Sequence, residues 1–144
     1  MSNVRAAVRL HSPMDLHMKA NALVKHTIHI TSNENVFDTK YEGFTAEIVK
    51  TATEAGSLLW AANGINVGDS PKRWQRRSEL QERACERLDQ LVYMIEVAHS
   101  LYSLRKGKYE HWSKMAVEVR TLARSWRDSD TRRYGYLLSG IKAE

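Results

Sequence analysis

The sequence predicts an all-α protein, an antiparallel up-down four-helix bundle, on three observations. Apolar residues recur at three- and four-residue spacing in four separate segments. Each segment is bounded by cap, proline or glycine signals, and no stretch of useful length alternates apolar and polar residues as a half-buried strand would. Short connections between such segments favour neighbours that run up and down. The 144 residues include only two prolines and seven glycines, fewer turn formers than a many-stranded chain needs.

The first helix is predicted over 13–31. Ser12 followed by Pro13 reads as a cap with proline at the first helical position, and Asp15 complements the positive end of the helix dipole. Leu16, Ala20, Leu23, Val24, Thr27, Ile30 and Thr31 form its stripe, and the polar run Ser32-Asn33-Glu34-Asn35 ends it. The connection that follows carries Phe37, Tyr41 and Phe44, which together are expected to fold over a bundle end as an aromatic lid. The second helix is predicted over 45–63, with the stripe Ile48, Ala52, Ala55, Leu59 and Ala62 and a stop at Asn63-Gly64. Its small residues permit a close helix approach.

Asp69-Ser70-Pro71 repeats the cap-then-proline signal, and no glycine or proline follows until Gly107, so a long third helix is predicted over 71–104. Its seam is Ala84, Leu88, Leu91, Ile95, Ala98 and Tyr102, alternating by four and three residues. After Arg105-Lys106-Gly107-Lys108, the positions Tyr109, Trp112, Ala116, Val119, Ala123 and Trp126 repeat that spacing and predict a fourth helix over 108–127. A basic arm, 1–11, precedes this body and a tail, 129–144, follows it. In the tail, Tyr134, Leu137, Leu138 and Ile141 could pair as a short helix; both ends are expected to be mobile or used in contacts.

Composition places the chain among single-domain globular proteins, with 42% hydrophobic and 27% charged residues. No apolar run reaches the roughly 18 residues of a membrane span, and the first residues lack a secretory pattern, so a cytoplasmic protein is expected. Cys85 is the single cysteine, which excludes an internal disulfide and reads as an inert small hydrophobe.

No catalytic constellation is legible, and neither a cofactor nor a metal is expected. Glu96-x-x-His99 has the spacing of a di-metal bundle motif, but it lies opposite the Leu88/Leu91/Ile95 stripe and occurs once. His26 and His29 fall on the flank of the first helix and read as solvated. Gly64-Ile65-Asn66-Val67-Gly68 lacks the lysine and strand of a phosphate loop and reads as a turn.

The net charge of +5 is sorted rather than scattered. Arg73, Arg76, Arg77, Arg83 and Arg87 share an arc of roughly 120° on the third helix, with Glu79, Glu82, Glu86 and Asp89 on the other side. Arg73 and Arg77 continue the apolar seam, so the first two turns of that helix are expected to protrude or face a partner. Arg120, Arg124 and Arg127, with Arg132 and Arg133 beyond, make a second basic stretch. These two stretches are the expected nucleic-acid-binding residues, by phosphate contact. Trp74, Trp126 and Tyr41 are the expected partner or subunit contacts.

Three segments carry a resemblance to a known family: DLHMKANALVKHTIHITSNENVFDTKYEGF in the first helix and its loop, LLWAANGINVGD at the end of the second, and YEHWSKMAVEV with SWRDSD in the fourth. Over residues 15 to 130 the chain resembles the accessory variability determinant proteins of diversity-generating retroelements. The resemblance implies a non-catalytic partner of a reverse transcriptase, a ring-like homo-oligomer, a pentamer, of helical bundles, and a basic surface that engages template RNA or DNA. A protein-interaction scaffold that binds no nucleic acid is the alternative.

Overall fold

The structure, a computed structural model, describes residues 13–143, with side chains over 14–139. The basic arm and the Ser12 cap expected from the sequence lie outside the described residues. Among the described residues every regular element is helical: α1 Pro13–Thr31, a 3₁₀ turn Thr39–Tyr41, α2 Glu42–Asn63, α3 Pro71–Leu101, α4 Lys106–Tyr134 and α5 Tyr136–Ala143. No described helix is long and apolar enough to cross a membrane.

The four long helices pack together around one core. Each packs on its neighbour in sequence, and α1 also packs on α4, which closes the ring. The apolar stripes supply the centre: Leu16, Leu23, Ile48, Leu59, Leu88, Leu91, Ile95, Trp112 and Val119 are all buried. Withdrawing each such side chain from water is worth about 2 kcal/mol, so the stripes, more than helix propensity, hold the elements in place. The small-residue face of α2 does what its composition allows, since a side chain added at Gly56 would meet Val24 Cγ2 at 3.2 Å.

Particular side chains tie the helices along their length. His17 stands edge-on to Trp60, and Arg87 pairs with Glu54 at 2.9 Å. The hydroxyls of Thr45 and Tyr102 lie 2.6 Å apart, and Tyr102 donates to the Tyr41 carbonyl. Lys19 pairs with Glu118, and the buried Trp112 indole N–H donates to Thr27 Oγ1 at 3.0 Å. The Thr27 hydroxyl in turn donates to the Leu23 carbonyl at 2.8 Å, so both buried polar groups are satisfied. Phe37, Tyr41 and Phe44 gather around Tyr102, with Phe37 and Tyr102 rings 4.4 Å apart, forming the expected lid.

Three boundaries differ from the sequence expectation by three residues or more. Asp38 caps the 3₁₀ turn by accepting from the Lys40 N–H, and that turn runs straight into α2 at Glu42 instead of 45. α3 stops at Leu101 instead of 104 because Ser103 takes a left-handed φ of 50°, which turns Leu104 back into the core. α4 runs to Tyr134 instead of 127, and α5 follows, so much of the expected tail is regular helix. α5 folds back onto α3 and α4, where Leu137 joins Val67 and Trp74 in a second, smaller cluster.

A basic end and the pairing of the arginines

The start of α3 and the close of α4 meet at one end of the helical body. Ser70 caps α3 by accepting from the Arg73 N–H, with Pro71 at the first helical position, so the arginines that follow are fixed in register. Trp74 and Tyr134 lie 5.5 Å apart by ring centroids, which brings the basic run Arg132-Arg133 of α4 to the end that Lys72, Arg73 and Arg76 occupy on α3. Lys72, Arg73 and Arg76, with Gly64, Ile65 and Asn66, line an open cleft of about 520 Å³ that no carboxylate of the described residues lines. All five cations are exposed, and among the described residues none of the five has an ion-pair partner; Arg133 sits over the Tyr134 ring at 5.1 Å.

Arg77 is placed differently from its neighbours, and here the structure corrects the sequence expectation. Instead of protruding, it turns inward: Nε donates to Asp130 Oδ2 at 2.8 Å, Nη2 lies 2.7 Å from the same oxygen, and Nη1 donates to the Ile65 carbonyl. Its guanidinium lies 4.9 Å from the Trp126 ring centroid and 5.9 Å from that of Tyr134. Gln81 Nε2 adds a third donor to Asp130 Oδ2 at 2.7 Å. The arginine therefore continues the seam because its charge is met by a carboxylate in α4.

The remaining expected arginines divide by partner. Arg87 pairs with Glu54 of α2; Arg120 and Arg124 both reach Asp89 of α3; Arg127 reaches Glu82 and its neighbour Asp128. Much of the acidic side of α3 is thus the counterpart of the basic stretch on α4, a charge layer between two packed helices. Arg83 is exposed, with no ion pair among the described residues.

The aromatic residues expected to meet a partner also have packing roles within the chain. Trp74 and Trp126 are 2% and 3% exposed, and Tyr41 is half-buried against Tyr102. A tryptophan the sequence reading did not single out, Trp60, is 69% exposed and shares this end with the exposed Met18. Its position on the outer flank of the Ala55/Leu59/Ala62 stripe was the available signal.

The other chemical candidates are occupied by packing. Glu96 accepts from the Tyr109 hydroxyl and His99 stacks on the same ring at 3.9 Å, so both serve the α3–α4 contact. Burial pushes the Cys85 thiol up to about 11, which leaves it protonated at neutral pH. Among the described residues no three His, Cys, Asp or Glu side chains are arranged to hold a metal ion. His26, expected to be solvated, is half-buried, with Nε2 sealed from solvent and unpartnered.

Fold and site together define a class: a helical protein that gathers five exposed cations, without ion pairs among the described residues, at the end where α3 begins and α4 closes. No protein-family model, curated protein or solved structure matches the chain.

Proposed function

We propose that the chain is an antiparallel up-down four-helix bundle that works without catalysing a reaction, as a nucleic-acid-binding accessory of a reverse transcriptase. The antiparallel reading is supported by the order of the contacts, in which residues early in one helix meet residues late in the next. Trp60 with His17 and Val24 with Gly56 set that order for α1 and α2; Arg87 with Glu54 and Tyr102 with Thr45 set it for α2 and α3. The chain's resemblance to the accessory proteins of diversity-generating retroelements supplies the reverse transcriptase and the pentameric ring.

The observation that carries nucleic-acid binding is the basic end, where Lys72, Arg73 and Arg76 flank an open cleft beside Arg132 and Arg133, and none of the five makes an ion pair among the described residues. Such a surface fits a polyanion that several cations contact at once, and the energy of that contact comes from counterion release. Arg83 extends the surface along α3. Arg87, Arg120, Arg124 and Arg127 would add phosphate contacts only by leaving their carboxylate partners, and Arg77 belongs to the interior.

Fluorescence anisotropy with a labelled structured RNA tests this reading. Reversing Lys72, Arg73 and Arg76 to Glu should abolish binding that Lys114→Glu, on the first half of α4, leaves intact. Equal affinity of the triple variant and the parent would remove the basic end from the proposal.

A second reading, a protein-interaction scaffold, is favoured by the exposed Met18 and Trp60 at the same end. Copurification of the reverse transcriptase that is lost in Met18→Ser/Trp60→Ser, with no RNA bound near physiological salt, would select it.

A further inference from the structure

We propose that the cavity at the opposite end of the helical body, between α1, the loop 33–37 and the turn 103–105, binds a small amphiphilic anion: an apolar body with one carboxylate, sulfonate or phosphate head. The cavity has a volume of about 590 Å³, within the range of small-molecule sites. Its floor is Ile30, Val36, Phe37 and Leu104. Phe37 and Leu104 are themselves part of the main core, so the floor is held by packing and is not an adaptable surface.

The rim is cationic. Arg105, Lys108, His26 and His29 line it, and among the described residues no carboxylate does. Among the described residues neither Arg105 nor Lys108 has an ion-pair partner, whereas the intervening Lys106 lies 3.8 Å from Glu110. His111 of α4 stands edge-on to His26 at 5.1 Å, adding a third imidazole behind the rim. α4 begins here, and Arg105, at its cap position, makes no side-chain cap bond. His26 lines the cavity as a half-buried imidazole, close enough for a bound anion to act on its charge.

The electrostatics agree in sign. Burial holds the His26 imidazole below its ordinary value, and the charges of His111, Lys108 and His29 push it the same way. An anion beside these groups offsets that repulsion and favours the protonated imidazole. Binding therefore strengthens as pH falls through the histidine range. A neutral ligand of the same shape would fill the floor and gain nothing at the rim.

The probe for this site is 8-anilinonaphthalene-1-sulfonate, with N-phenyl-1-naphthylamine as its uncharged counterpart. The full chain should bind one sulfonate probe at pH 7, more tightly at pH 6 than at pH 8, as the coupling of a bound anion to His26 protonation requires. Octanoate should displace it and octanol should not. Reversing Arg105 and Lys108 to Glu should weaken the sulfonate probe by about tenfold or more and change the neutral probe by less than about twofold. Val36→Trp, which fills the floor, should exclude both probes. Far-UV circular dichroism confirms the helix content of each variant. If the double reversal does not fold, Arg105→Gln and Lys108→Gln take its place, each expected to weaken the sulfonate probe by about threefold. Sulfonate binding that survives both the charge changes and Val36→Trp, but is lost in Met18→Ser/Trp60→Ser, would place the probe on the exposed apolar flank and overturn the proposal.

Discussion

Arg77 and Asp130, 53 positions apart in sequence, form a buried ion pair at 2.7 Å whose side chains are only 12% and 8% exposed. The pair joins the first turns of α3 to the last turns of α4, with Trp126 and Tyr134 against the guanidinium. Removing one partner leaves the other as an uncompensated interior charge. Asp130→Ala should therefore cost about 3 kcal/mol or more in urea unfolding, while Arg77→Met/Asp130→Leu should recover most of that loss. A double variant no more stable than Asp130→Ala would mean that the carboxylate matters by its hydrogen bonds to Gln81 and not as a counterion.

Thr27 gives a second prediction, because its hydroxyl is the only described acceptor for the Trp112 indole N–H inside the core. Thr27→Val keeps the shape and strands that donor, which should destabilise the fold by about 2 kcal/mol. Thr27→Ser retains the oxygen and should lose less. Denaturant midpoints of the two variants decide the matter.

Acid should weaken the fold through His17 and His26, whose imidazoles are held below their ordinary value, first by burial in both cases. In the unfolded chain they titrate near 6.5, so above that pH both states are neutral and the full stability is present. As pH falls from 6.5 through the lower folded-state values, the unfolded chain binds more protons and stability is lost. His17, wedged between Trp60 and Trp126, is the more buried of the two by surface exposure. His17→Gln should flatten the fall in melting temperature between pH 7 and pH 5; an unaltered profile would assign the acid sensitivity elsewhere.

At the basic end, RNA affinity should fall steeply with salt. Replacing Lys72, Arg73 and Arg76 with Gln should reduce the slope of log affinity against log salt by about 2, the value for three lost phosphate contacts to a single strand. A parallel line displaced downward would instead indicate a local structural effect.

Gly135 separates α4 from α5, and a side-chain carbon added there would lie 2.5 Å from the Thr131 carbonyl oxygen. Gly135→Ala must shift the backbone and should cost about 2 kcal/mol. The loss should concentrate in α5, visible as faster amide exchange over 136–143 with little change in α1.

The helical repeats were legible because each is a local, periodic consequence of burial. The α3 seam from Ala84 to Tyr102 and the α4 seam from Trp112 to Trp126 are buried as their spacing predicts, and α1 has the predicted bounds. What periodicity could not supply was pairing at long range. Arg77 reads as a surface residue until Asp130 is known to face it, and Asp130 lay in a segment whose spacing had already lapsed. Trp74 was concealed in the same way, since the residues that cover it, Val67 and Leu137, come from a loop and from the short α5. The sorted charge on α3 was visible, but its meaning was divided: Glu82 and Asp89 meet α4, while Lys72, Arg73 and Arg76 make no ion pair among the described residues.

The placement of the four tryptophans gives the molecule a set of optical reporters. Trp112, Trp74 and Trp126 are buried, Trp126 against the Arg77 guanidinium and the His17 ring, whereas Trp60 is in water. Emission from the three buried indoles should be blue-shifted and resist acrylamide, leaving a red-edge component that belongs to Trp60 alone. A macromolecule that settles on the basic end would shield that component without disturbing the rest, so docking there can be followed on the unlabelled chain.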